Sequence, residues 1–114
     1  MLKKRCKLAY PKERDLVKAC VAYLNLKGYE VLRNNTGLFI FHNKDGKPRA
    51  VRIGLKGSPD IIACSPDGRF IAVECKTGRN RLTAYQKAFL ERLRKKNAIV
   101  VVAYSVDDLE KAGL

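Results

Sequence analysis

A predicted hairpin near the middle of the chain constrains the fold more than any other feature. Residues 60–64 and 69–76 are two apolar segments typical of strands, and four turn-forming residues separate them, Ser65-Pro66-Asp67-Gly68. Proline suits the second position of a type I turn, and glycine suits the left-handed position that follows. The sequence therefore predicts two antiparallel strands joined by a three-residue loop with a glycine bulge.

The register of this hairpin brings two carboxylates together. The predicted loop pairs Ser65 with Arg69, and counting back along both strands puts Asp60 opposite Glu74, with Cβ atoms about 4.5–5.5 Å apart. Lys76 points to the same face as Glu74, because alternate residues of a strand share a face. Opposed carboxylates repel and destabilise a sheet unless a cation compensates them. Since such oxygen ligands suit magnesium or manganese, the hairpin predicts a divalent metal site.

One amphipathic helix is predicted before this hairpin in the sequence and a second one after it. Residues 11–27 repeat apolar side chains at helical spacing, and Glu13 falls in the middle of the apolar stripe. It either compensates the helix dipole in the first turn or joins the other two acids. In the second helix, residues 83–96, Thr83 and Gln86 have the spacing of a capping box, yet Gln86 also lies on the sheet-facing side. Both roles stay open for Glu13 and for Gln86.

The other segments predict an α/β sandwich around a mixed sheet, in one domain over residues 1–114. Further strands are expected at 30–33, 38–41, 50–55 and 98–104, with a hairpin turn at 43–46. The last of these is apolar throughout, which is typical of a strand covered on both faces. Ser105 and Asp108 are spaced to cap a short final helix.

Several potentially reactive side chains are expected to be structural. Cys64 and Cys75 are predicted to be core thiols, His42 a surface residue of the hairpin, and Asp67 a turn residue. The four cysteines, at 6, 20, 64 and 75, have no CxxC spacing, and no apolar export signal follows the basic N-terminus. We therefore expect reduced thiols in a cytoplasmic protein, not disulfides or a zinc site.

The charge of the chain favours a polyanionic partner. Its formal net charge is +13, from 24 basic and 11 acidic residues, and the excess is concentrated at 1–14, 44–56 and 76–96. No apolar run approaches the roughly 18 residues of a membrane span. We expect a nucleic-acid partner, no membrane and no small-molecule cofactor.

The residues above also carry a family resemblance, which spans roughly residues 12–104. The pattern Glu13, Asn34-Asn35-Thr36-Gly37, Gly57-Ser58-Pro59-Asp60, Glu74-Cys75-Lys76 and Gln86 resembles the PD-(D/E)xK nuclease superfamily. Within it the chain resembles stand-alone virus-type replication-repair nuclease (VRR-NUC) domains and, more distantly, archaeal-type Holliday junction resolvases. The resemblance implies a restriction-endonuclease-like α-β-β-β-α-β core and phosphodiester hydrolysis that depends on Mg²⁺, with Mn²⁺ as a substitute.

The resemblance also implies roles for six residues. Asp60, Glu74, the Cys75 carbonyl and Glu13 would bind the metal, Lys76 would position or activate the attacking water, and Gln86 would support the site from the second helix. A cytoplasmic place of action is implied, inside a host cell if the gene is carried by a phage or prophage.

These observations leave more than one function open. The leading expectation is a metal-dependent DNA endonuclease that acts as a homodimer on branched DNA, with a four-way junction as the favoured substrate. The apolar run 38–41 is a plausible dimer contact, unless both faces of that hairpin belong to the core. The alternatives are a non-catalytic basic module that binds nucleic acid by backbone contacts, and a nuclease for flaps, single strands or RNA.

Overall fold

A computed structural model describes residues 12–114. The helices are α1 (Glu13–Leu26), α2 (Ala84–Arg94) and α3 (Asp107–Lys111), and the strands are β1 (Glu30–Arg33), β2 (Gly37–His42), β3 (Pro48–Ile53), β4 (Ile61–Cys64), β5 (Phe70–Cys75) and β6 (Ile99–Ala103). The predictions that concern Cys6, Pro11 and nearly all of the basic cluster at 1–14 lie outside the described residues. Within residues 12–114 no helix has the length and hydropathy to cross a membrane.

The main sheet has four strands in the order β1-β4-β5-β6. The first three are antiparallel neighbours, and β6 runs parallel to β5, which α2 connects to it. With α1 in front, these elements follow the expected α-β-β-β-α-β order, and β2 and β3 are inserted after β1 as a separate two-stranded sheet. The predicted mixed α/β fold is therefore confirmed.

The two faces of the main sheet differ in what covers them. One face and helices α1 and α3 form the core, which includes Leu16, Val17, Cys20, Leu24, Ile61, Ala63, Ile71, Val73, Cys75, Val101, Ala103 and Leu109. The other face carries Glu74 and meets α2 through Gln86. At the edge of the sheet, β6 has its core-side residues Val101 and Ala103 buried, but Val100 and Val102 only half-buried. The strand is thus covered on both faces, as expected, but less completely on the α2 side.

The β4–β5 hairpin has the predicted loop and register. The amide of Ser65 donates to the Arg69 carbonyl (3.0 Å), and Gly68 adopts a φ of 85° at the bulge position. Asp67 accepts a hydrogen bond from the Ser65 hydroxyl and serves the turn, as expected. Ile61 pairs with Val73, so the residues just outside this pair are the two predicted acids.

The β2–β3 hairpin is exposed on both faces. Leu38, Phe39, Ile40 and Phe41 keep 59%, 41%, 58% and 50% of their surface accessible, so the alternative that the hairpin is core was wrong. His42 is exposed at its end, as predicted.

The second strand of that hairpin, β3, runs from Pro48 to Ile53 rather than over the predicted 50–55. Proline is tolerated at its start because this two-stranded sheet consists only of edges. The strand ends at Gly54, whose φ is 78° and where a Cβ would lie 2.6 Å from the Thr36 methyl carbon.

One further local prediction was wrong, and another holds only in part. Cys64 is exposed, because it lies at the end of β4 on the α2 side of the sheet, beyond the part that α2 covers. The final helix begins after Val106 without a side-chain cap, since the Ser105 hydroxyl does not serve it. The Asp108 carboxylate instead accepts from the backbone amides of Tyr104 (2.8 Å) and Ser105 (3.3 Å).

Candidate active site

Asp60 and Glu74 lie at adjacent strand ends, where the hairpin register predicted them. Asp60 immediately precedes β4, and its Oδ2 accepts a hydrogen bond from the backbone amide of Cys75 (2.8 Å). Glu74 is the penultimate residue of β5, and Lys76 follows the strand directly. The Asp60 carboxylate is thus fixed against the strand that carries the other two side chains.

Asn34 holds the loop that presents Asp60. Its Nδ2 donates to the Ser58 hydroxyl and to the Pro59 carbonyl (both 2.8 Å), and its backbone amide donates to the Asp60 carbonyl (2.7 Å). The sequence assigned Asn34 no role of its own, and this contact was missed. The only signal was its membership of the quoted motif, because the 24 residues to Ser58 give no local pattern.

Glu74 is a buried carboxylate with few partners. It is 2% exposed, and both of its side-chain contacts reach the same oxygen, Oε2: Gln86 Nε2 at 2.9 Å and Lys76 Nζ at 3.7 Å. No donor among residues 12–114 reaches the other oxygen, Oε1. Burial, reinforced by the charge of Asp60, raises the pKa of Glu74 to about 8. Lys76 lowers the pKa but does not offset burial and Asp60, so the protein compensates the ionised side chain only in part.

Gln86 serves the helix and the site at the same time. Its Oε1 accepts from the Thr83 amide (2.9 Å) and its backbone amide donates to the Thr83 hydroxyl (3.2 Å), which completes the capping box of α2. Its Nε2 donates to Glu74. The two roles that the sequence left open are thus not alternatives.

Glu13 lies close enough to the site to feel its charges. It is the first residue of α1 and is half-buried. Burial and the charge of Asp60 raise its pKa, whereas Lys76 lowers it. Within residues 12–114, however, no three His, Cys, Asp or Glu side chains form a preassembled metal-binding cluster. The structure brings Asp60, Glu74, Lys76 and Gln86 together and leaves Glu13 at their periphery.

The donor set fits a hard divalent cation. Asp60 and Glu74 supply carboxylate oxygens, and one oxygen of buried Glu74 has no protein donor within residues 12–114. The backbone amide of Cys75 donates to Asp60. Because the amide and the carbonyl of one strand residue point to the same side, the Cys75 carbonyl is a further oxygen that faces Asp60. The Cys75 thiol points the other way, into the core, 4.0 Å from the Cys20 sulfur. Oxygen ligands of this kind suit Mg²⁺ or Mn²⁺.

This arrangement predicts a pH-dependent stability in the absence of metal. The unfolded chain loses the Glu74 proton near pH 4.5, but the folded protein keeps it up to about pH 8. The free energy of unfolding in EDTA should therefore fall as the pH rises between these values. Each kcal/mol that is lost should lower the melting temperature by about 4 °C. Thermal unfolding at pH 5.5 and 8.5 measures it, and Mg²⁺ or Mn²⁺ should restore stability mainly at pH 8.5. Glu74→Gln should flatten the dependence; an equal slope in that variant would contradict the assignment.

Glu13 has a separate expected effect. If it supports the cation, Glu13→Gln should shift the metal dependence of cleavage to higher concentration, by roughly tenfold, as for residues that support metal ligands. The readout is the metal titration of the cleavage rate, with the melting temperature as control. A small loss of melting temperature with an unchanged titration would show that Glu13 only compensates the helix dipole.

Comparison with known proteins supports the resemblance that these residues carry. The profile of the VRR-NUC domain matches residues 12–107. A solved VRR_NUC domain structure is similar, with a TM-score of 0.62 and 23% identity over 87% of this chain and 90% of the other, which shows a shared fold. A comparison with curated proteins gave no match. Because the domain profile covers most of the chain, the protein belongs to the VRR-NUC family, a nuclease family.

Proposed function

We propose that the protein is a metal-dependent endonuclease that hydrolyses phosphodiester bonds in DNA. The observation that supports this most is the buried and only partly compensated Glu74 beside Asp60, with Lys76 and Gln86 against it. A protein gains no stability from such a pair of acids, because burial of an ionised carboxylate with incomplete compensation is costly. The pair is understandable as a site that is completed by a cation.

The metal would be held by the Asp60 and Glu74 carboxylates and the Cys75 carbonyl. Glu13 would support it from the periphery of the site. When bound, Mg²⁺ supplies Lewis-acid stabilisation of a phosphoryl oxygen and lowers the pKa of water. Gln86 holds the Glu74 carboxylate in one orientation through its Nε2. The amide of Cys75 does the same for Asp60.

Lys76 contributes a positive charge inside this site. Its side chain is 9% exposed, with Nζ 3.7 Å from Glu74 Oε2. An ammonium group donates hydrogen bonds and cannot accept them. Lys76 can therefore orient the oxygen of an attacking water and offset negative charge on the phosphate, but in its charged form it does not take up the proton.

The same carboxylates argue against a non-catalytic binding module. A domain that binds the DNA backbone by charge alone gains nothing from acids on its binding face, since they repel phosphate. In this chain the basic residues are otherwise available: within residues 12–114 only Lys76 and Arg94 form ion pairs. The positive charge suits DNA binding, and the acidic pair suits chemistry on it.

The decisive experiment is incubation with labelled linear, nicked, flapped, single-stranded and four-way DNA, and with RNA, in Mg²⁺, Mn²⁺ or EDTA. We expect cleavage of DNA only with metal, and fastest on the four-way junction. Binding without cleavage under every condition would favour the basic module, and cleavage in excess chelator would contradict the metal mechanism.

The preference for a junction depends on a proposed two-fold dimer. The β2–β3 hairpin exposes apolar side chains on both faces, with Leu38 and Ile40 on one and Phe39 and Phe41 on the other. Contiguous exposed apolar surface of this kind suits a partner, and a second copy gives two equivalent sites related by a two-fold axis. Paired cuts on opposing strands of a junction need two such sites.

The dimer is tested by one substitution and its control. Ile40→Ser should shift the protein from dimer to monomer in sedimentation or light scattering at micromolar concentration. Leu26→Ser removes a more exposed leucine (89%) from α1 and should leave the dimer unchanged. A monomeric wild-type protein would refute the paired-cut proposal. A dimer that cuts flaps or single strands faster than junctions would overturn only the substrate preference.

A further inference from the structure

The loop between β5 and α2 forms a groove beside the candidate active site. Its volume is about 610 Å³, and Gly78, Arg79, Asn80, Arg81 and Tyr104 line it. Two of these residues are cationic and none is acidic. The groove is thus a concave, positively charged surface distinct from the two carboxylates.

The groove is held in shape by hydrogen bonds within its own wall. Tyr104 donates its hydroxyl proton to the Asn80 carbonyl (2.8 Å), and the Asn80 amide donates to the Thr77 carbonyl (3.1 Å). The backbone amide of Tyr104 is in turn fixed by Asp108. Because the hydroxyl of Tyr104 is engaged, its ring, 43% exposed, forms a wall whose position does not depend on a ligand.

The two arginines of the groove have the chemistry of a phosphate site. Both are exposed, and neither forms an ion pair with an acid among residues 12–114. The planar guanidinium group presents its donors in a fork that matches two oxygens of a phosphate. Arg79 and Arg81 are alternate residues of a short loop, so two such forks are offered within one small concavity.

The position of the groove limits which phosphate it can reach. The Lys76 amide donates to the Ala103 carbonyl (2.9 Å), so the ends of β5 and β6 are joined immediately before Thr77 and Tyr104. Arg79 follows Lys76 by three residues, which keeps their Cα atoms within about 11 Å. Phosphates of one strand advance about 3.4 Å each along a duplex. At Arg79, the groove therefore lies within about three nucleotides of Lys76.

We propose that this groove binds an internal phosphate of the cleaved strand, about three nucleotides or fewer from the scissile bond. This subsite rests on the proposed endonuclease function. Arg79 and Arg81 hold the phosphate, and Tyr104 and Asn80 hold the arginines' loop in place. The contact fixes the strand along its length, so that the bond presented to Asp60 and Glu74 is determined by backbone geometry rather than by base sequence.

The first test compares two double variants that remove the same charge. Arg79→Gln/Arg81→Gln should weaken DNA binding by about tenfold or more at moderate salt. The slope of the logarithm of the binding constant against the logarithm of the salt concentration should become shallower by about one or two. Arg92→Gln/Arg94→Gln removes two charges from α2, outside the groove, and should have a smaller effect on both. Binding is measured by fluorescence anisotropy in the Glu74→Gln background, where no cleavage interferes. Equal losses in the two variants would overturn the proposal, since charge alone would explain them.

The second test locates the contact on the strand. The cleavage position is mapped with the wild-type enzyme, and single neutral methylphosphonates are then placed at each of three positions on either side of it. We expect one position at which affinity falls for the parent protein but not for Arg79→Gln/Arg81→Gln. No such position, or an effect seen only with a phosphorylated strand end, would overturn the proposal. If the wild-type protein cuts no nucleic acid, the endonuclease proposal fails, whereas the salt comparison still decides whether the groove binds phosphate.

Discussion

Glu74→Gln is expected to abolish DNA cleavage while leaving DNA binding intact or tighter. The variant removes a metal ligand, and metal catalysis contributes several kcal/mol, so a rate loss of at least about 10³-fold follows. Binding should not suffer, because a negative charge that faces phosphate is lost. Single-turnover cleavage and anisotropy with the same labelled junction measure the two effects separately.

The fold of this variant is expected to survive. Glutamine keeps the shape of Glu74 and can still accept the hydrogen bond from Gln86. In EDTA at pH 8.5 its melting temperature should exceed that of the wild-type protein, since the buried charge is gone. A variant that is inactive but more stable cannot owe its inactivity to unfolding.

Asp60→Asn should behave in the same way, and the chain contains its own control. Asp67 also follows a proline, but it lies in the β4–β5 turn and bonds to the Ser65 hydroxyl. Asp67→Asn makes the same chemical change at the wrong end of the hairpin and should keep full activity. Cleavage by Asp60→Asn at the wild-type rate would contradict the proposed site.

Lys76→Met is expected to lower kcat by about 10²–10³-fold with little change in KM. Lys76 is one of 24 basic residues, so its share of DNA affinity is small, whereas its place against Glu74 is unique among the described lysines. An interaction made mainly in the transition state lowers kcat in this way. Methionine keeps most of the length of the buried side chain and removes only the charge.

The matched control for this prediction is Lys87→Met. Lys87 is exposed on α2, one residue after Gln86, and no acid among residues 12–114 pairs with it. Its substitution should leave kcat unchanged and raise KM slightly at most. If Lys76→Met changed only KM, Lys76 would be an ordinary phosphate contact and the proposed role in the reaction would be wrong.

The parts of the site that the sequence predicted are those that local chemistry determines. Pro66 and Gly68 specify a loop of fixed length, the loop specifies a register, and the register brings Asp60 to Glu74. Every step acts over a few residues, and the strand periodicity adds Lys76 without further information. The same holds for the capping box of α2, which is read from two residues three positions apart.

The parts that the sequence missed depend on distant segments. Asn34 contacts a loop more than twenty residues away, and neither segment carries a local sign of the other. Whether Cys64 is buried depends on how far α2 extends over the sheet. Cys64 is exposed, and so is Phe70, which pairs with it in the register. Periodicity shows which face a residue lies on, but not whether another element covers that face.

The double use of Gln86 restricts what this position can accept. A capping box is satisfied equally by glutamine or glutamate, so a helix considered by itself would tolerate either residue. Here the second hydrogen bond goes to a carboxylate, and a glutamate would place a third acid against Glu74 and Asp60 with no proton to donate. An exchange that is silent at most helix starts would, at this one, keep the capping box of α2 but add repulsion at the site. The residue allowed at position 86 is therefore determined by the carboxylate that it contacts and not by the needs of the helix start.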